Sequence, residues 1–302
     1  MIRWLVLSSY VLSGCAVLAE KSNPQDEPAI RFTRDQPRVK VEGRAVNEAS
    51  GVAVSLLNES HLWAINDSGG TTELHRFDTL GKDLGSVSIH GVRNIDWEDM
   101  ASFRLDGDPY LLVADIGDNA GNRQDLVIYV VPEPTAVDKS VKPSWTIRFQ
   151  FEDGAQDCES VAVDEKAEKI ILISKRTKPP LLYELPLKPA DREIQTARKI
   201  GKIAHVLPKG ISPNPYGSQP TGFDISSDGS RALVLTYVST FIFPRAKGET
   251  WADTFAKKPV SLGPHFLRQA ESGAFSRDGK SIYLTSEGIG QPLIRYQIDE
   301  TP

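Results

Sequence analysis

The chain has 302 residues, 40% hydrophobic and 25% charged, with a formal net charge of −5. That balance gives no general attraction to a nucleic-acid polymer or to anionic lipid. Two cysteines in 302 residues exclude a disulfide framework, so stability has to come from a core and from any bound ion.

Residues 1–14 read as a lipoprotein signal peptide. Arg3 supplies one early positive charge, and WLVLSSYVL is an apolar run too short to span a bilayer as a mature helix. LSGC (12–15) follows and looks like a bacterial lipobox, which makes Cys15 the expected lipidation site and mature N-terminus. An ordinary secretory signal cleaved near Ala19 is the alternative. Ala16, where an Asp would signal retention, points to the outer membrane, facing periplasm or exterior. Residues 15–30 are polar and contain proline, and read as a tether. Residues 31–302 are expected to form one domain.

That domain is expected to be all-β. HLWAIND, YLLVADIG, LVIYVVPEP, KIILISKR, RALVLTY and SIYLTSE are short alternating or continuous apolar runs bounded by Gly, Asp, Asn and Pro. SSDGSRALVLT (226–236) and SRDGKSIYLTS (276–286) each place Asp-Gly ahead of a strand, a hairpin signal. No stretch carries a long helical period.

A phrase recurs five times: ASGVAVS (49–55), WEDMASF (97–103), CESVAVD (158–164), PTGFDIS (220–226) and ESGAFS (271–276). Its aligned polar position holds Ser50, Glu98, Glu159, Thr221 and Glu271, spaced 48, 61, 62 and 50 residues apart. Repeats of this length predict a propeller or solenoid. Each repeat reads as a four-stranded blade, giving a five-bladed β-propeller, with 31–43 adding the outer strand of the last blade. The longer spacings are assigned to insertions such as KPADREIQTARK and LPKGISPNPYGSQP. Cys158, set among hydrophobic residues, reads as a buried inert thiol.

The first residues of innermost strands line a propeller's channel, so these five side chains should meet there. Three converging carboxylates need a counter-charge, and a hard cation with oxygen ligands supplies it. Calcium suits the set; magnesium prefers a tighter octahedron, and no His/Cys cluster favours zinc. The alternative is that Ser50 and Thr221 bond neighbouring backbone.

The pattern resembles the calcium-activated nucleotidases (soluble apyrases). These are five-bladed propellers with a central calcium held by a Ser, Glu, Glu, Ser, Glu ring, one residue per blade. Ser50, Glu98, Glu159, Thr221 and Glu271 match that order, with Thr in place of the second Ser. LWAINDSGGTTELHRFD and ISKRT carry further local similarity. The chain is also similar to bacterial secreted propeller proteins with NDSGG, DWEDMA and ADIGDN phrases.

Antiparallel pairing returns each second strand to the face where the first begins. That brings Asp67, Asp115, Lys175, Arg176, Tyr237 and Glu287 to the mouth of the ring. Asp67 and Asp115 are candidate bases and Arg176 a candidate anion clamp. Asp118, Asn119, Arg123 and Lys175 are candidate ligand-binding residues, although Asp67, Asp118 and Asn119 also suit Asx-turns. Asp96 and Asp157 each lie two residues before a ring Glu and are expected to orient the site. The expected function is a calcium-binding, membrane-anchored binding or scaffold module for a small anionic ligand or an envelope protein. The alternative is a calcium-dependent hydrolase of a phosphorylated or otherwise anionic small molecule.

Overall fold

The computed structural model describes residues 30–35 and 39–300. The leader, Cys15 and nearly all of the tether lie outside the described residues. Among these, no helix is long and apolar enough to cross a membrane.

The fold is almost entirely β. Strands β1 (Ile30–Arg34) and β2 (Val39–Lys40) come first. The first four-stranded antiparallel unit is β3 (Ala49–Val54), β4 (His61–Asn66), β5 (Glu73–Asp78) and β6 (Asp83–Ile89). The second is β7 (Trp97–Leu105), β8 (Asp108–Asp115), β9 (Leu126–Pro132) and, after the short β10 (Ser140–Val141), β11 (Trp145–Phe151). The third is β12 (Cys158–Asp164), β13 (Lys169–Ser174), β14 (Leu181–Pro186) and β15 (Gln195–Lys202). The fourth is β16 (Pro220–Ile225), β17 (Arg231–Thr236), β18 (Ser239–Pro244) and, after the five-residue helix α1 (Trp251–Phe255), β19 (Val260–Pro264). The last is β20 (Ala270–Phe275), β21 (Ser281–Ser286) and β22 (Pro292–Glu300), with β1 antiparallel on the outer edge of β22.

The innermost strands touch in the closed order β3, β7, β12, β16, β20 and back to β3. Five apolar clusters fill the spaces between neighbouring units. Successive residues of a strand serve two of them. Leu62 and Ala64 of β4 pack with Ala274 and Tyr283 of the last unit, while Trp63 and Ile65 pack with Trp97 and Leu111 of the second. Strands buried on both faces read as continuous apolar runs, which is why HLWAI and KIILI lack clean alternation. The result is a propeller-like ring of sheets packed face to face.

The two long spacings have different sources. Residues 98–159 include β10, which leaves its own unit to pair in parallel with β6. In 159–221, the second half of KPADREIQTARK is not an insertion; it forms part of β15. LPKGISPNPYGSQP is a loop up to Pro220.

Each innermost strand carries one more residue than its partner at the repeated polar position. The register slips between Ala49 and Gly51, Trp97 and Asp99, Cys158 and Val161, Pro220 and Gly222, and Ala270 and Ser272. Such a bulge re-aims a side chain and bends the strand. Ser50, Glu98, Thr221 and Glu271 are the extra residues, and Glu159 with Ser160 faces Ile173 alone.

Carboxylates stitch the axis below these bulges. Asp99, fully buried, accepts from Val161 N at 2.9 Å and Phe223 N at 3.2 Å, on the third and fourth units. Asp224 accepts from Phe275 N at 2.7 Å on the last unit and from its neighbour Ile225 N at 2.8 Å. Space along the axis is short: a Cβ on Gly51 would lie 2.7 Å from Met100 N.

Burial pushes the Asp224 carboxyl from 3.8 to about 7, against the pull of its two N–H donors. The folded state therefore holds a proton that the unfolded chain releases, and this group's contribution to stability falls as pH rises from about 4 to about 7 and is level above. Thermal unfolding across that range should show this slope. Asp224→Asn should remove this part of the slope and lower the melting temperature throughout, because an amide has one acceptor oxygen for the two backbone donors and its nitrogen can accept from neither.

Candidate functional site

The five second strands end on the face where the innermost strands begin, and Asp67, Asp115, Lys175, Tyr237 and Glu287 sit at or one residue beyond those ends. The bulged ring residues meet them there, but they do not share one set of ligand bonds.

An acidic cluster forms on the side of the first two units. Asp67, Asp96 and Glu98 each bring a carboxylate oxygen within 4.8 Å of the others. Two oxygens about 2.4 Å from one calcium ion lie at most about 4.8 Å apart, so this spacing fits a single ion. Gly117 forms its wall, since a Cβ there would lie 2.1 Å from Glu98 Oε1 and 2.4 Å from Asp96 Oδ2. Burial raises the Asp96 carboxyl to about 6, helped by Asp67 and opposed by Arg123. Glu98 is raised well above its usual range by burial and by Asp67 and Asp96, against the pull of Lys175. A bound cation would reverse that cost.

Glu159 is differently occupied. Its Oε1 is ion-paired with Lys175 Nζ, both side chains being buried, and its Oε2 is buried with no hydrogen-bond partner. Lys175 Nζ lies 5.3 Å from the Tyr237 ring centroid. The hydroxyls hold neighbouring units together: Ser50 Oγ donates to Trp97 O at 2.8 Å and Thr221 Oγ1 to Ala270 O at 2.7 Å. Glu271 is raised to about 9 by burial and by its hydrogen bond to and charge repulsion from Glu287, so that pair keeps a proton at neutral pH. The expected counter-charge at the ring is therefore supplied in part by an ammonium. The oxygen cluster sits to one side, with Asp96 in it rather than behind it.

Several expected ligand-binding groups are committed to structure. Asp115 is fully buried and accepts from Ile95 N, Asp96 N and Arg123 Nη2 at 3.2, 3.1 and 2.8 Å. It has no free oxygen to act as a base and instead fixes the backbone of Asp96. Arg123 also donates to Gly117 O at 2.6 Å, which withdraws it from any ligand. Asp118 accepts from Asn122 N at 2.9 Å and Arg123 N at 2.8 Å, closing its own turn. Asp157 accepts from Asp118 N at 3.1 Å and pairs with Arg176, so it ties the second unit's loop to the third's. Asn119 accepts from Arg176 Nη2. Cys158 is buried, with its thiol pushed up by burial and bonded to Ile173 O at 3.2 Å.

The same strand-end face holds a cavity of about 360 Å³, lined by Asn119, Lys175, Arg176, Tyr216, Tyr237 and Arg268, among others. Arg268, Tyr216 and Gln269 were not singled out from the sequence. Arg268 stands three residues before a ring Glu, the one spacing signal that pointed to it. At the far end of the axis the enclosed space shrinks to about 20 Å³. The mouth is thus a concave face, acidic on one side and basic on the other, above a closed axis.

Lys175→Ala would leave a buried, unpaired Glu159 carboxylate, and urea unfolding should show a loss of about 3–5 kcal/mol. Glu159→Gln combined with Lys175→Met should recover most of it.

No family model matches the chain, and no curated protein matches it. Among solved structures it is similar to a gluconolactonase from Xanthomonas campestris, with 12% identity over 83% of this chain and 72% of that one, at a TM-score of 0.45. It is likewise similar to a luciferin-regenerating enzyme, with 12% identity over 86% of this chain and 95% of that one, at a TM-score of 0.44.

Proposed function

We propose that the chain is a five-bladed β-propeller that holds a divalent cation at its mouth and hydrolyses an anionic small molecule there. One observation carries this reading: carboxylate oxygens of Asp67, Asp96 and Glu98 lie within 4.8 Å of one another at the strand-end face that also carries a cavity lined by Lys175, Arg176 and Arg268. The all-oxygen donor set suits calcium. When bound, the ion would polarise a carbonyl or phosphoryl oxygen and acidify water. Arg268 clamps the anionic group through its planar fork, and Arg176, already bonded to Asp157 and Asn119, adds positive charge beside it. Asp115 and Gly117 position the ligand carboxylates.

The ring resemblance puts nucleotides into the assay panel beside sugar phosphates, esters and lactones. Turnover of at least one should vanish with chelator and return with calcium. Glu98→Gln should lower it by roughly 10–100-fold. Calcium should also raise the melting temperature of the wild type, and Gly117→Ala should abolish that rise. A binding or scaffold module is the second reading, favoured by the use of Asp115 and Arg123 for structure. It predicts the calcium-dependent rise in melting temperature with no turnover across the panel.

We also propose that Cys15 carries lipid and holds the propeller at the cell envelope, a reading supported by LSGC. Cys15→Ser should move the protein from the detergent phase to the aqueous phase on partitioning. Equal partitioning of the two forms would dispose of the anchor.

A further inference from the structure

The basic cavity of the mouth has a neighbour. A second cavity of about 530 Å³ lies over the β13–β14 and β15–β16 connections, and the two share Lys175 and Gln219 as a common wall. Its volume falls in the range of roughly 300–1,000 Å³ typical of small-molecule sites. The linings differ in kind. Arg176 and Arg268 give the first its character, whereas Pro179, Pro180, Ala204 and Val206 present apolar atoms to the second, backed by the buried Ile203 and Leu207. Lys178, Lys202 and His205 also line the second cavity, so positive charge continues across both. Val206 is apolar yet 88% exposed, so none of the described residues covers it. The wall is held by backbone bonds from Ile203 N to Pro180 O at 2.9 Å and from Ala204 N to Phe255 O at 3.0 Å. A site built this way exists before its ligand arrives.

We infer that the mouth takes an amphiphilic anion: a carboxylate head against Arg268 beside Arg176, and a linear acyl chain along Pro179, Pro180 and Val206. This deepens the hydrolase reading and rests on it for the fate of the ligand, not for its binding. The charge selects the head. The chain adds affinity in proportion to the apolar area removed from water, on the order of fourfold for each methylene fully enclosed. The shared wall makes the two contributions act on one molecule.

Calorimetric titration of the full chain with acetate, hexanoate and octanoate below micellar concentrations tests this. Octanoate should bind at least tenfold more tightly than acetate, with hexanoate between. Ala204→Trp, which fills the second cavity from an exposed position, should bring octanoate down to the level of acetate and leave acetate unchanged. Val206→Glu, also exposed, should do the same through charge. Equal affinity for acetate and octanoate, or an octanoate preference that survives both variants, would overturn the inference. So would octanol binding as tightly as octanoate, because the head would then not be read. Titration needs no turnover. Chain-length-dependent binding without hydrolysis would therefore remove the hydrolase reading and leave this one standing, and turnover of short anions without chain preference would do the reverse.

Discussion

The carboxylate of Asp99 is the contact on which the rest of the ring depends. It lies fully buried, and its Oδ2 accepts backbone N–H groups from β12 and β16. A bulge disrupts the ladder in each innermost strand and frees backbone donors near the axis. Buried donors without partners cost about 1–3 kcal/mol each. One acid placed on the second unit satisfies donors from the third and fourth, and Asp224 repeats the device between the fourth and the last. Ser50, Thr221 and Ser272 add hydroxyl bonds from one unit to the next, the last to Ala49 O at 2.9 Å. The same bulges that create the demand turn the ring side chains toward the mouth. Closure of the axis and presentation of the site are two results of one irregularity.

The mouth is organised by how its charges are divided. Lys175 sits among Glu98, Glu159 and Glu271, and its pairing with Glu159 Oε1 supplies part of the counter-charge those acids need. The carboxylates left near Gly117 come from the first two units, where Asp115 and Arg123 fix the supporting backbone. A lysine in place of a symmetric ligand set moves the acidic cluster off the axis. That shift also opens the facing side to Arg176 and Arg268, so one face carries both signs without the two neutralising each other.

The architecture was largely legible because its signals are local and repeated. Apolar runs, Asp-Gly turns and a five-fold phrase each follow from strands buried on both sides. Strand direction alone put Asp67, Lys175 and Tyr237 at one mouth. The division of labour among those residues was not legible, since it depends on partners far apart in the chain. Asp115 reads as a candidate base until Ile95, Asp96 and Arg123 are seen to occupy its oxygens. That Glu159 shares its Oε1 with Lys175 is not visible in the repeat that aligns it with Glu98. Asp99 and Asp224 did leave a trace: each is an acid inside an otherwise apolar strand phrase, and such a residue asks for a buried partner. QTARK, the second half of KPADREIQTARK, reads as an insertion because the polar, half-exposed pattern of β15 is that of an outer strand, whose one free face carries little periodicity.

The pairing of β1 with β22 sets the order in which the molecule can be completed. Ile30 registers with Glu300, 270 residues along the chain. The entropy of closing so long a loop is met only when the final strand is present, and contacts of such separation form slowly. The first residues of the domain to leave the ribosome are thus among the last to find their place. Until they do, β22 presents an open edge. Assembly of this ring is a race between the arrival of its own beginning at that edge and the arrival of any other strand.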